Sequence, residues 1–338
     1  MRLLERKNHE FSLTEFVGDN IPQYAILSHT WGDDSEEVSF KDLVEGVGKS
    51  KAGYNKIRFC GEQAACDGLQ YFWIDTCCID KSSSTELTEA INSMFRWYHG
   101  ATKCYVYLTD VSIHDHDSND QVSEFTSELA FRKSRWFTRG WTLQELIAPI
   151  SVEFFSLECT RLGDKQSLER QVHEITGIPI EALQGDPLSN FTVSQKMSWA
   201  ENRITKREED AAYSLMGLFD VYMSPIYGEG KKNAFIRLHE YIDKRSNDDQ
   251  RLRDLFVSSP HDGSLANKQK VVNWLYPGSY DETHTAVQAR RQRHTGHWFL
   301  YKVNTWLTAE PRIPIVWCRG IRKLGYILYM NTLVNLCN

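Results

Sequence analysis

The chain has 338 residues, 41% of them apolar and 25% charged, with a net charge of −6, enough for one large core and a smaller domain. The acidic balance excludes nucleic-acid binding by bulk charge, and no run of about 18 apolar residues exists to span a membrane. MRLLERKNHEF lacks the apolar stretch of a secretory signal, and the eight cysteines fall mostly in apolar text that reads as buried thiols, so a cytoplasmic protein is expected.

YAILSHTWG (24–32) predicts a short strand ending in a polar and aromatic turn, and VSFKDLVEGVGKSKAG (38–53) reads as a loop. Ile57, Cys60 and Ala64 mark one face of a helix. LQYFWIDTCCID (69–80) is a continuous apolar run, as expected for a strand buried on both faces. Ser83 and Glu86 make a capping box, followed by the helical stripe Leu87, Ile91, Met94, Trp97 and Tyr98. KCYVYLTDV (103–111) and SVEFFS (151–156) are further strands. Between them lie an acidic loop, SIHDHDSNDQ (112–121), and a helix in SRWFTRGWTLQELIAP (134–149) that Pro149 stops. This alternation predicts an α/β fold, a parallel sheet flanked by helices. From about residue 165 to 245 the text turns helical and reads as a cap on the sheet. Residues 246–270 have a linker composition, and 271–338 form a separate closing segment. KREED (206–210) can pair Arg207 with Asp210 on a helix surface and reads as a solvated face or one structural ion pair.

Several motifs fail on spacing. Gly48-Lys49-Ser50 resembles the end of a phosphate loop, but Leu43 stands where its first glycine belongs. Lys51 breaks the dinucleotide pattern begun by Gly46 and Gly48, and Pro225 spoils the match at Gly230-Lys231. Cys77 and Cys78 are adjacent and not spaced to wrap one zinc ion, and the His114–Asp117 run reads as a hydrated loop, so no metal site is expected. Around Glu145 the spacing leaves two roles open. Leu143, Leu146 and Ile147 form a buried stripe, with Trp141 and Glu145 four apart on the other side. Thr142 followed three residues later by Glu145 also fits a capping box.

Taken together, YAILSHTWG, YFWIDTCCIDK with the following ELTEAINSMFRWYHGATKCYVYLTDV, and SRWFTRGWTLQELIAP resemble the three signature blocks of the fungal heterokaryon-incompatibility (HET) domain. REEDAAYSLMGLFDVYMSPIYGEGKKNAFIRLHEYI is similar to that family's C-terminal portion, so the likeness covers residues 1–245. It implies an effector of programmed cell death in non-self recognition, with self-association or other incompatibility and NOD-like receptor proteins as partners. The closing segment, VVNWLYP onward, is similar to the stretch before the NACHT NTPase of fungal NOD-like receptors, but no phosphate loop follows Gly320-Ile321. A more distant likeness is to the TIR domain. Trp141, Leu143, Glu145 and Leu146 fall on its W-x-L-x-E-L motif, and YAILSHTWGDD resembles its first strand and pocket loop. This likeness implies a TIR or flavodoxin type of sheet and Glu145 as a catalytic carboxylate. It also implies a pocket formed by Ser28, His29, Trp31, Asp75, Arg139 and Trp141, with NAD as substrate and no bound cofactor. Either Arg135 or Arg139 is then available to a pyrophosphate. A non-catalytic module that kills by assembly is the competing expectation.

Overall fold

The computed structural model describes residues 1–7, 10–18, 20–113 and 128–257. Its sheet has seven strands: β1 (Arg2–Lys7), β2 (Glu10–Glu15), β3 (Tyr24–His29), β4 (Tyr71–Trp73), β5 (Lys103–Tyr107), β6 (Val152–Phe155) and β7 (Arg161–Asp164), ordered β2-β1-β4-β3-β5-β6-β7. The four central strands pair in parallel, in registers such as Ile26 opposite Trp73, Ser28 opposite Val106, and Val106 opposite Phe154. All six residues of β3 and all four of β6 are buried, as a sheet covered on both faces requires. The expected α/β architecture therefore holds at the centre, and both edges are antiparallel additions that the alternation did not predict. β1 and β2 form a hairpin laid against β4, and β7 folds back on β6.

The helices that place functional residues follow from local chemistry. Helix α2 (Tyr54–Cys66) buries Ile57, Cys60 and Ala64 along the predicted face. Helix α4 (Ser84–Gly100) begins where Ser83 accepts the backbone N–H of Glu86. The Glu86 carboxylate, instead of closing the box, takes the Asp80 N–H at 2.8 Å and a two-pronged bond from Arg2, at 2.7 Å through Nη2, which ties the hairpin to this helix. Two expectations are corrected. The 38–53 stretch holds a helical turn, α1 (Phe40–Val44), because Ser39 and Asp42 make a complete capping box. The apolar run at 69–80 is a strand only over Tyr71–Trp73 and then turns into the one-turn helix α3 (Asp75–Cys78); a short apolar run does not by periodicity distinguish buried strand from buried helix.

Beyond the sheet, α5 (Thr142–Ile147) runs into β6, and α6 (Glu169–Thr176), α7 (Val193–Ser198) and α8 (Gly230–Val257) supply the helical cap. Helix α8 buries Ala234, Leu238 and Ile242 in successive turns and continues past Ser246, where the linker was expected to begin. The closing segment 271–338 and all but the first two residues of the acidic loop expected at 112–121, with its His and Asp cluster, lie outside the described residues. Of the cysteines described, Cys60, Cys77, Cys78 and Cys104 are buried free thiols, whereas Cys66 and Cys159 are exposed. Among the described residues, no helix is long and apolar enough to cross a membrane.

Candidate active site

Numbered among themselves, the parallel strands run 2-1-3-4, so the chain reverses direction across the sheet between β3 and β5. In such sheets a crevice opens outside the carboxyl ends of the strands at that reversal. A cavity of about 570 Å³ lies there. Its residues come from the end of β3 (His29, Trp31), the start of α3 (Asp75), the face of α4 (Ile91, Met94, Tyr98), and the turn into α5 (Arg139, Trp141, Glu145). Ser28 does not line it but stands directly behind, wholly buried.

Glu145 forms the floor. The Ser28 hydroxyl donates to its Oε2, and the Trp136 indole N–H donates to Ser28 Oγ at 2.8 Å, giving a chain from indole to hydroxyl to carboxyl. Burial pushes the Glu145 carboxyl up to about 8, and the charge of Asp75 adds to the rise; the hydrogen bonds from Ser28 and Tyr98 and the charge of Arg203 oppose it. Its helix is held at both ends. Thr142 Oγ1 shares its one proton between the Trp136 carbonyl at 2.6 Å and the Arg139 carbonyl at 2.8 Å, and Arg203 Nη1 donates to the same Arg139 carbonyl at 2.8 Å. At the far end the buried Lys165 ammonium donates to the Leu146 and Pro149 carbonyls, at 3.3 and 2.6 Å. These bonds overturn the capping-box reading. Thr142 caps nothing, the residue before the helix makes no side-chain cap, and the Glu145 carboxyl points to Ser28. The stripe reading is corrected as well, because all six residues of α5 are buried.

Asp75 forms the rim. Its carboxylate meets His29 Nε2 at 3.0 Å, accepts the Trp31 indole N–H at 2.9 Å, and lies 3.6 Å from the Lys81 ammonium. Burial alone would raise this carboxyl, but the Lys81 charge and the His29 and Trp31 hydrogen bonds outweigh it and hold Asp75 below the usual carboxylate range. Lys81 also sits 3.7 Å over the Trp31 ring. The opposite lip carries Arg139, Lys206 and Arg207, with Lys206 paired to Asp34 across the mouth and Arg207 4.0 Å over the Tyr227 ring. Arg135 is absent from this lining; it is exposed and faces Asp110 at 3.6 Å.

The structure thus gathers Ser28, His29, Trp31, Asp75, Arg139, Trp141 and Glu145 around one cavity. Sequence reasoning missed Lys81, Tyr98, Trp136, Arg203, Asp210 and Tyr227. Tyr98 was read only as part of a core stripe, although its hydroxyl reaches the Leu27 carbonyl at 2.9 Å. The KREED reading is corrected in one respect: Asp210 is buried, accepts the Tyr227 hydroxyl at 3.0 Å and faces the cavity. Among the described residues, no group of three or more His, Cys, Asp or Glu is placed to hold a metal ion.

Residues 24–130, which carry β3, α3, α4 and β5, match the heterokaryon incompatibility protein (HET) family. This chain is a HET-domain protein. It is 61% identical over 265 residues to the vegetative incompatibility protein HET-E-1 of Podospora anserina, a match that covers 78% of this chain and 19% of that relative's own length. No solved structure matches the chain. The HET family match includes His29, Trp31 and Asp75 of the rim, whereas Arg139, Trp141 and Glu145 lie beyond its end at residue 130.

Proposed function

We propose that this HET domain serves fungal heterokaryon incompatibility as a cell-death effector, and that its cavity cleaves the bond between nicotinamide and ribose in NAD. The observation that carries the reading is the burial of the Glu145 carboxyl at the floor of an aromatic-walled cavity, with cationic side chains gathered at the mouth. Such a cavity suits a ligand with a cationic ring at one end and phosphates at the other. Trp141 offers the ring a stacking surface, and Arg139, Lys206 and Arg207 offer the pyrophosphate positive charge.

The chemistry asks little of the protein beyond charge. The C–N bond breaks with both electrons passing to the ring nitrogen, so neutral nicotinamide leaves without a proton donor. The ribose is left as an oxocarbenium ion, water adds to it, and a proton is released. Glu145 stabilises that cation once ionised. In the empty cavity its carboxyl is held neutral near pH 7 by burial. An arriving pyridinium favours the carboxylate form and expels the proton. The test is expression of the full chain in a fungal host, with cell death and NAD level scored together for wild type and Glu145→Gln. NAD depletion that accompanies death and vanishes in the variant supports the reading. Death without NAD loss, undiminished by Glu145→Gln, would replace it with the non-catalytic assembly.

A further inference from the structure

A second cavity, of about 420 Å³, shares the turn that leads into α5: Arg139, Trp141 and Thr142 line the first cavity, and Gly140 lines the second. A Cβ on Gly140 would stand 2.3 Å from Thr205 Cγ2, so any side chain there would force Thr205 to shift. The remaining walls come from α7, the chain after it and the first turns of α8. They divide by chemistry. Met197, Leu215 and Phe235 supply an apolar side, while Arg203 and Lys231 supply two cations against the single acid Glu201.

Arg203 is the informative residue. Its Nε donates to the Trp199 carbonyl at 3.1 Å, and its Nη1 to the Arg139 carbonyl at 2.8 Å and Thr142 Oγ1 at 3.0 Å. All three acceptors are uncharged, and Nη2 is buried with no partner. Burial lowers this guanidinium to about 10, with Glu145 the charge that opposes the fall. Lys231 has its ammonium 6.0 Å from the Phe235 ring and, among the described residues, no ion pair. Among the described residues Arg203 has no carboxylate within ion-pair distance, and an unpartnered buried Nη2 on a half-buried side chain calls for an explanation. An anionic oxygen entering the cavity that Arg203 and Lys231 line would bring the negative charge that the three uncharged acceptors of Arg203 lack. The volume lies within the range of small-molecule sites, and the mixture of apolar wall and a few convergent polar groups is their usual lining.

We propose that this second cavity binds an amphipathic acid: a phosphate or carboxylate head held by Arg203 and Lys231, on a ring-sized apolar body lying against Phe235, Met197 and Leu215. The site is independent of NAD cleavage, so its test needs no turnover. Phenyl phosphate, benzoate and inorganic phosphate are titrated into the full-length protein and followed by ligand-observed NMR. The wild type binds one equivalent of phenyl phosphate or benzoate saturably, and inorganic phosphate binds more weakly for want of the apolar wall. Whichever ring-bearing acid binds tighter assigns the head group. Two substitutions at exposed positions keep the fold. Lys231→Glu weakens binding by about tenfold or more, and Ser194→Trp, which plugs the lining, abolishes it. Absence of saturable binding by either acid up to about 10 mM, or binding unchanged in both surface variants, would overturn the proposal.

Discussion

Of the four carboxyls lining the first cavity, Glu145 at the floor and Asp75 at the rim are tuned in opposite directions. At the rim, Asp75 has a cation, a histidine and an indole N–H around it, and stays ionised. At the floor, Glu145 meets the Ser28 and Tyr98 hydroxyls and, among the described residues, no cation within ion-pair distance, and burial pushes its carboxyl up to about 8. Two similar groups in one cavity thereby acquire different work, with Asp75 a fixed negative charge that orients its neighbours and Glu145 a carboxyl that changes state when a cation arrives.

The sharpest way to break this contrast is Glu145→Gln. It keeps shape and removes charge, and we expect nicotinamide release to fall by at least about a thousandfold, measured by steady-state kinetics. Stability moves the other way. A glutamate whose folded-state value is raised binds more protons folded than unfolded, so wild-type stability falls as pH rises from about 4.5 to about 8. Gln removes that slope, and denaturant unfolding at pH 7 should show a gain on the order of 3 kcal/mol. A smaller loss follows from Ser28→Ala, which deletes the donor to the carboxylate. Activity drops by roughly 10- to 100-fold, and the rise of kcat/KM with pH shifts alkaline.

Asp75→Asn probes the rim. Its effect on stability is about 1–3 kcal/mol, the cost of leaving His29, Trp31 and Lys81 short of one charged partner. The sign of its pH dependence is opposite to that of Glu145. A depressed carboxyl stabilises the fold above its ordinary value and loses that contribution as pH falls through its folded value. Urea unfolding at pH 7 and pH 3 should therefore find the gap between wild type and variant narrowing in acid. The smallest effect belongs to Lys206→Ala. Its ion pair with Asp34 joins two exposed groups, and removing it costs no more than about 0.5 kcal/mol, read as a shift in thermal midpoint. A large loss there would mean that the mouth is held shut by this pair.

Much of the rim and floor was legible in the sequence, and the reasons are local. The buried strand Tyr24–His29 and the helix pattern at 57–64 are short-range signals, and the W-x-L-x-E-L likeness singled out Glu145 and Trp141. What escaped notice depends on long separations. Trp136 reaches Ser28 across 108 positions, and Arg203 reaches Thr142 across 61; no spacing rule links residues so far apart. The hairpin at Arg2–Glu15 went unread because β1 buries the consecutive residues Leu3 and Leu4, with buried Glu5 beside them, instead of alternating. Thr142 and Glu145 satisfied the capping pattern in spelling alone, because Ser28, contributed by β3, takes the carboxyl that the box would use.

Glu145 is neutral near pH 7 in the free protein and becomes ionised when a cationic ring binds. The most direct measurement is the titration of its side-chain carboxyl carbon by NMR in the full-length protein, alone and with nicotinamide mononucleotide present. The midpoint should lie near 8 in the free protein and fall when the ligand binds. A midpoint near the ordinary 4.5 that the ligand does not move would contradict it.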